Sequence, residues 1–246
     1  MSSVVVLSSG GIKSAVAAAR LAKEHAVILL HVNYGQASAG RESTALDLFA
    51  GALPGSRVVR VALPYLSQLR AAAPEADAAS PRETRGIVGT SITTGSTPPA
   101  LLRGLAPVLF SVGVQSALRF SARHVVTGLT DQDDAPHLGL LVAESPPDSR
   151  REFIHAFNIM AEVLLRPKFS VRVEAPLIGL RYSEVVKLGV RFRVAMDKTW
   201  TCERFGAQPC GQCEPCKARA RAFSEAGVTD PGYAASATAA PTAAAY

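Results

Sequence analysis

The stretch Val4-Val5-Val6-Leu7-Ser8-Ser9-Gly10-Gly11-Ile12-Lys13-Ser14 decides the architecture. Its first four residues are a continuous apolar run of strand length, the pattern of a strand buried on both faces. After the Ser-Ser-Gly-Gly break, apolar residues return at Ile12, Ala15, Val16, Ala19 and Ala22. That spacing is helical, so the chain passes from a strand through a tight turn into a helix. The alternation continues outward. Val27 to Val32 predicts a second strand, Glu42 to Phe49 a second helix and Val58 to Val61 a third strand. Leu101 to Phe120 predicts a helix in which Pro107 is tolerated only near the first turn or as a kink, and His124 to Thr127 predicts a strand. Phe153 to Leu165 reads as a helix, Val171 to Val173 as a strand, and Ser183 to Gly189 as a short helix stopped by its glycine. Alternation of this kind implies an α/β protein: an open parallel sheet with helices on both faces.

Composition agrees with a folded chain. Of 246 residues, 48% are hydrophobic and 19% charged, which excludes wholesale disorder. The net charge of +6 favours phosphate-bearing partners without choosing between a nucleotide and a nucleic acid. No stretch reaches the about 18 uncharged apolar residues of a membrane span, and the start lacks a basic segment of the signal-peptide kind, so no membrane partner is expected and the expected location is cytoplasmic. The pattern divides the chain into an α/β nucleotide-binding domain over 1–195, a four-cysteine segment over 196–228 and a disordered tail over 229–246. Within the first, Ala, Pro, Ser, Thr and Gly dominate 70–99, expected to be a mobile loop.

Two motifs carry chemistry. In the first, Gly10 and Gly11 let the backbone approach an anion, and the N–H groups and positive dipole end of the following helix would face it. The stretch matches neither G-x-G-x-x-G nor G-x-x-x-x-G-K-[ST], and a simple tight connection is the other reading. The second is Cys202, Cys210, Cys213 and Cys216, spaced C-x7-C-x2-C-x2-C, which consumes every cysteine of the chain. Four thiolates close a tetrahedral site, so structural Zn²⁺ is the expectation, with an Fe–S cluster or two disulfides as alternatives. The five histidines show no mutual metal spacing, and none is assigned a role. Trp200 is expected to pack over the metal loop.

Taken together, these motifs resemble the 7-cyano-7-deazaguanine synthases of queuosine precursor synthesis, within the PP-loop ATP pyrophosphatases. The family signature S-G-G-x-D-S is matched by Ser9 to Ser14, with Lys13 at the acidic position. Tyr34-Gly35-Gln36 matches Y-G-Q, Pro147 to Phe153 resembles P-D-C-R-P-E-F with Ser149 for Cys, and the close from Thr199 to Phe223 is the most alike. Thr130 stands where the family has Asn after Gly128, and Ala37 and Ser38 where it has basic residues. A V-P-x-R-N segment is matched only loosely around Thr97-Pro98-Pro99, with Arg103 the nearest arginine.

The resemblance implies an ATP-dependent ligase that converts 7-carboxy-7-deazaguanine and ammonia into the nitrile through adenylated intermediates, with ATP, Mg²⁺ and Zn²⁺. It implies nucleotide binding by Leu7, Ser8, Ser9, Gly10, Gly11, Ile12 and Ser14, and substrate contact by Tyr34 and Gln36. Lys13, Asp133, Asp148 and Arg150 are the catalytic candidates, and Cys202, Cys210, Cys213 and Cys216 the metal ligands. The expected partners are the small 7-deazaguanine and ammonia, with a homodimer as an option. A divergent relative that adenylates the same carboxylate for another acceptor, and a non-catalytic nucleotide- or nucleic-acid-binding module, are the alternatives. The cysteine segment lacks the interleaved aromatic residues of single-strand readers, so nucleic acid is not an expected partner.

Overall fold

A computed structural model of the protein describes residues 2–66, 105–130, 150–204 and 206–233. Expectations that fall on 70–99, on Arg103, Asp133, Asp148 and Ser149, and on 234–246 lie outside the described residues. Five parallel strands form one sheet: β1 (Ser2–Leu7), β2 (His25–Asn33), β3 (Arg57–Ala62), β4 (His124–Val126) and β5 (Arg172–Glu174), in the order β3-β2-β1-β4-β5. Among the described residues no helix is long and apolar enough to cross a membrane.

The apolar run of β1 is buried on both sides because its side chains alternate between two cores. Val4 and Val6 join α1 (Ile12–Leu21), α2 (Ala39–Gly51), α5 (Tyr182–Arg191) and α6 (Glu214–Ala226) on one face, through Val16, Leu46, Val185 and Phe223. Val5 points the other way. It meets α3 (Leu105–Arg119) and α4 (Arg151–Leu165), where Phe110 stacks edge-on against Phe157 at 5.2 Å. Pro107 falls in the first turn of α3, where its missing N–H leaves no hydrogen bond unmade.

Two expectations change. The helix expected to stop at Gly189 runs on to Arg191, because that glycine makes room for a neighbour: a Cβ there would lie 2.9 Å from Met196 Sδ. Glu214–Ala226 is a helix that the apolar spacing does not predict, although Pro in its first turn and Gly227 at its left-handed end (φ 72°) are the usual start and stop signals. Through Ala222 and Phe223 this helix belongs to the same buried cluster as β1.

Short polar clips fix the elements. The Asn158 side chain of α4 accepts from the Val173 N–H at 2.7 Å and donates to its carbonyl at 2.8 Å. Arg219 of α6 is fully buried, 0% exposed, and every branch of its guanidinium is used. It pairs with Asp230 through two bonds of 2.6 and 2.8 Å, and donates to Thr199 Oγ1 at 3.0 Å and to the Met196 carbonyl at 3.2 Å. Tyr233 covers it, ring centroid 4.0 Å away. A buried charge needs such satisfaction, since losing one partner strands the other in a low dielectric. Arg219→Met is therefore expected to lower unfolding free energy by about 3–5 kcal/mol, and Arg219→Met with Asp230→Leu to recover part of it, as urea midpoints would measure.

Candidate functional site

Strand order reverses between β1 and β4: the chain runs outward to β2 and β3 on one side of β1, and to β4 and β5 on the other. In an open parallel sheet the crevice beyond the strand ends at such a point is where ligands bind. Both segments that leave those ends meet there. A Cβ on Gly128, just past β4, would lie 2.7 Å from the backbone nitrogen of Ser14, so only a glycine permits this approach. Lys13 Nζ donates to Thr130 Oγ1 at 2.6 Å and lies 4.7 Å from the centre of the Tyr182 ring.

The turn from Ser8 to Ser14 is held by its own side chains. The Gly10 N–H reaches Ser8 Oγ at 3.4 Å, the Ser8 and Ser14 hydroxyls are 3.0 Å apart, and Ser14 donates to the Gly11 carbonyl at 3.0 Å. With the Ser14 proton committed to Gly11, the Ser8 hydroxyl donates to Ser14, giving a continuous chain of donors and acceptors. The Ser14 hydroxyl is thus spent inside the turn rather than offered outward. The backbone remains: Gly11 caps α1 without a side-chain hydrogen bond, so the first-turn N–H groups, which lack intrahelical acceptors, have no side-chain cap.

Three neighbours brace this turn. His31 of β2 is buried, 3% exposed, with Nδ1 3.2 Å from the Ser8 carbonyl. A carbonyl only accepts, so Nδ1 carries the proton. Nε2 has no hydrogen-bond partner, and it is the one such buried side-chain nitrogen or oxygen among the described residues. Glu42 of α2 accepts from Gln36 at 2.8 Å and Ser38 at 2.6 Å. The Trp200 N–H donates to the Gly10 carbonyl at 2.8 Å, tying the turn to the segment that leads into the cysteines. Gly10 itself has φ +72°, and a Cβ there would meet the Glu42 carbonyl at 2.7 Å.

Tyr34 and Gln36 follow β2 near the turn, but the Gln36 amide is engaged locally: besides Glu42 it accepts from the Tyr34 N–H at 2.9 Å and donates to the Val32 carbonyl at 3.2 Å. Arg150 stands at the N-cap position of α4, without a side-chain capping hydrogen bond. Asp133 and Asp148 lie outside the described residues, so neither is placed against the turn. His31 and Glu42 were missed in the sequence. A His on a buried strand is usually a packed side chain, and Glu42 sits on an ordinary amphipathic helix.

The four cysteines converge. Their sulfurs all lie within 4.8 Å of one another, and among the described residues they form the only group of three or more His, Cys, Asp or Glu close enough to share an ion. Cys202 and Cys213 sulfurs are 3.9 Å apart, close to the about 3.8 Å edge of a tetrahedron with 2.3 Å metal–sulfur bonds. All four are free thiols, not the two disulfides kept open as an alternative. Burial pushes the Cys210 thiol up, but the N–H groups of Cys213 and Gln212 that it accepts outweigh this and hold it at about 6. Burial raises Cys202 and Cys216. Beside the cluster, partial burial and the Glu42 carboxylate push the Glu203 carboxyl above its usual range. Trp200 Nε1–H donates to the Cys202 carbonyl at 2.7 Å, so the indole packs on the cysteine loop as expected.

The crowding at Gly10 generates a contrast. Gly10→Ala combines left-handed backbone strain with a clash and should cost about 1–3 kcal/mol in a urea titration. Gly40, in α2 with nothing within 4 Å of a Cβ, should gain about 0.5–1 kcal/mol when replaced by Ala.

Comparison with known proteins places the chain in a family. The family model described as "Queuosine biosynthesis protein QueC" matches residues 3–227. A 7-cyano-7-deazaguanine synthase from Methanothrix thermoacetophila is 32% identical over 94% of this chain and 98% of its own length. The enzyme of the same name from Nitratiruptor sp. is 28% identical over 92% of this chain and 96% of its own. Among solved structures, a predicted subunit of tRNA methyltransferase from Methanocaldococcus jannaschii is 16% identical over 77% of this chain and 75% of its own, with a TM-score of 0.44. A tRNA thiolase, NcsA, from Methanococcus maripaludis with its 4Fe–4S cluster is 16% identical over 92% of this chain and 67% of its own, with a TM-score of 0.42. Matched from its first strand to the glycine that ends its last helix, the chain belongs to the queuosine biosynthesis QueC family, that of the 7-cyano-7-deazaguanine synthases.

Proposed function

We propose that this chain is an ATP-dependent carbon–nitrogen ligase that makes 7-cyano-7-deazaguanine from 7-carboxy-7-deazaguanine and ammonia. The observation that carries the reading is the near full-length match to relatives named for that product. In the reaction a carboxylate oxygen attacks the α-phosphorus of ATP and pyrophosphate leaves. Ammonia then attacks the acyl carbon, expels AMP and loses a proton, giving the amide. The amide oxygen takes a second adenylyl group, again with loss of pyrophosphate, and departure of that AMP with two protons from nitrogen leaves the nitrile.

The turn from Leu7 to Ser14 is assigned to the triphosphate. Its uncapped first-turn N–H groups and the helix dipole stabilise negative charge that grows as pyrophosphate departs. The deazaguanine is assigned to the crevice between the ends of β1 and β4, with Tyr34 on the β2 side. Asp133, Asp148 and Arg150 remain the candidates for its polar contacts. Gln36 acts through its bonds to Tyr34 and Glu42 and positions the loop after β2.

Of the two metals, one fits. Cys202, Cys210, Cys213 and Cys216 suit Zn²⁺: four sulfurs within 4.8 Å surround one ion, whereas a cubane cluster spreads its thiolates over several irons. When bound, the ion supplies cross-linking energy and no chemistry, since no coordination position is left for substrate. Mg²⁺ does not fit as an ion held by the turn. Ser8 to Ser14 contains no carboxylate and does contain a lysine, whereas Mg²⁺ is ordinarily held through one or two carboxylates.

Purified protein given ATP, Mg²⁺, the carboxylate and ammonia is expected to release AMP and pyrophosphate and to form the nitrile, read by mass spectrometry. A folded protein that forms none beside an active synthase refutes the assignment. Metal analysis should give one zinc per chain. Removing it with a chelator should lower the melting temperature and also weaken ATP binding, because the Trp200 bond to Gly10 joins the cysteine segment to the turn.

A further inference from the structure

The first turn of α1 carries no acidic residue and has Lys13 as its second residue. A cation there is misplaced by the helix field, which favours negative charge at the N-terminus by about 0.3–1 kcal/mol. A cation–π contact with Tyr182 and the 2.6 Å bond to Thr130 hold the ammonium between the end of β4 and the start of α5, beside the N–H groups assigned to the triphosphate. The positive end of the helix and the Lys13 ammonium both favour a polyanion laid across them.

We propose that Lys13 supplies from within the turn the positive charge for the triphosphate that a divalent ion ordinarily supplies, so that ATP binding by this chain does not depend on Mg²⁺. The inference rests on the assignment of the turn to ATP. Three observations converge on it: the turn has no carboxylate to hold Mg²⁺, its lysine is tethered at the switch point of the sheet, and Gly128 packs against Lys13 and Ser14 closely enough to fix their backbone. An ammonium fixed in advance loses little on binding, the condition under which a charge-assisted hydrogen bond is strongest.

Calorimetry of the zinc-loaded protein with ATP, in excess Mg²⁺ and in chelator-free buffer depleted of Mg²⁺, tests this, with far-ultraviolet circular dichroism confirming the fold of each variant. The wild type should bind ATP with dissociation constants within about threefold of each other in the two buffers. Lys13→Met should lose about tenfold or more in Mg²⁺-free buffer, the effect of one charge-assisted bond. Lys13→Arg should restore most of that loss, and Lys13→Asp should bind only with Mg²⁺. Wild-type binding that requires Mg²⁺, or a folded Lys13→Met that binds Mg²⁺-free ATP as tightly as the wild type, overturns the inference and leaves the site itself standing. No ATP binding by the folded wild type in either buffer overturns the site as well.

Discussion

The buried guanidinium of Arg219 is the constraint on which the site depends. It is shut off from water, so its charge has to be met by the protein, and the groups that meet it come from three places: Asp230 after α6, Thr199 and Thr201 before the cysteines, and the carbonyl of Met196. Satisfying one side chain therefore fixes the path of the chain from Met196 to Thr201. On that path the Trp200 N–H reaches Gly10. The turn after β1 is thus held from β2 by His31, from α2 by the approach of Glu42 and from the C-terminal segment by Trp200. Preorganised donors are worth most where they need not reorganise when charge appears, and this turn has little freedom to do so.

The crevice follows from topology before any side chain is considered. Reversal of strand order at β1 and β4 leaves the two segments beyond those strand ends facing one another, and a glycine at 128 brings one backbone onto the other. Side chains then set the sign of the field. The opening turn of α1 offers N–H groups and an ammonium, while the acidic Glu42 is drawn back into hydrogen bonds with Gln36 and Ser38. The four cysteines stand apart from this chemistry and connect to it through the covalent path from Cys202 back to Trp200.

Much of this was legible in the sequence because it is local. Val4 to Ser14 shows strand, turn and helix within a dozen residues, and the spacing of the cysteines predicts that their sulfurs converge. What escaped was written in pairs far apart. Nothing near Arg219 says that it is buried, since its acidic partner lies 11 residues on and its other acceptors some 20 residues back. His31 is one polar residue in an apolar strand until the Ser8 carbonyl is placed beside it. Gly189 misled because a glycine near the end of a helical pattern is usually a stop, whereas here its missing side chain accommodates Met196. The helix after Cys213 has few apolar residues to mark a helical period, although Pro215 and Gly227 bracket it as helix ends usually do.

The Asn158 amide has a meaning beyond joining α4 to β5. Arg172 and Glu174 bond inward to β4, so the Val173 N–H and carbonyl point out of the open side of the sheet, the row of groups on which a strand from another molecule could add. Asn158 occupies both. At the opposite margin β3 carries Arg57 and Arg60, the first over the ring of Phe120 and the second paired with Asp47. Among the described residues the β5 border is guarded against edge-to-edge aggregation by a side-chain amide.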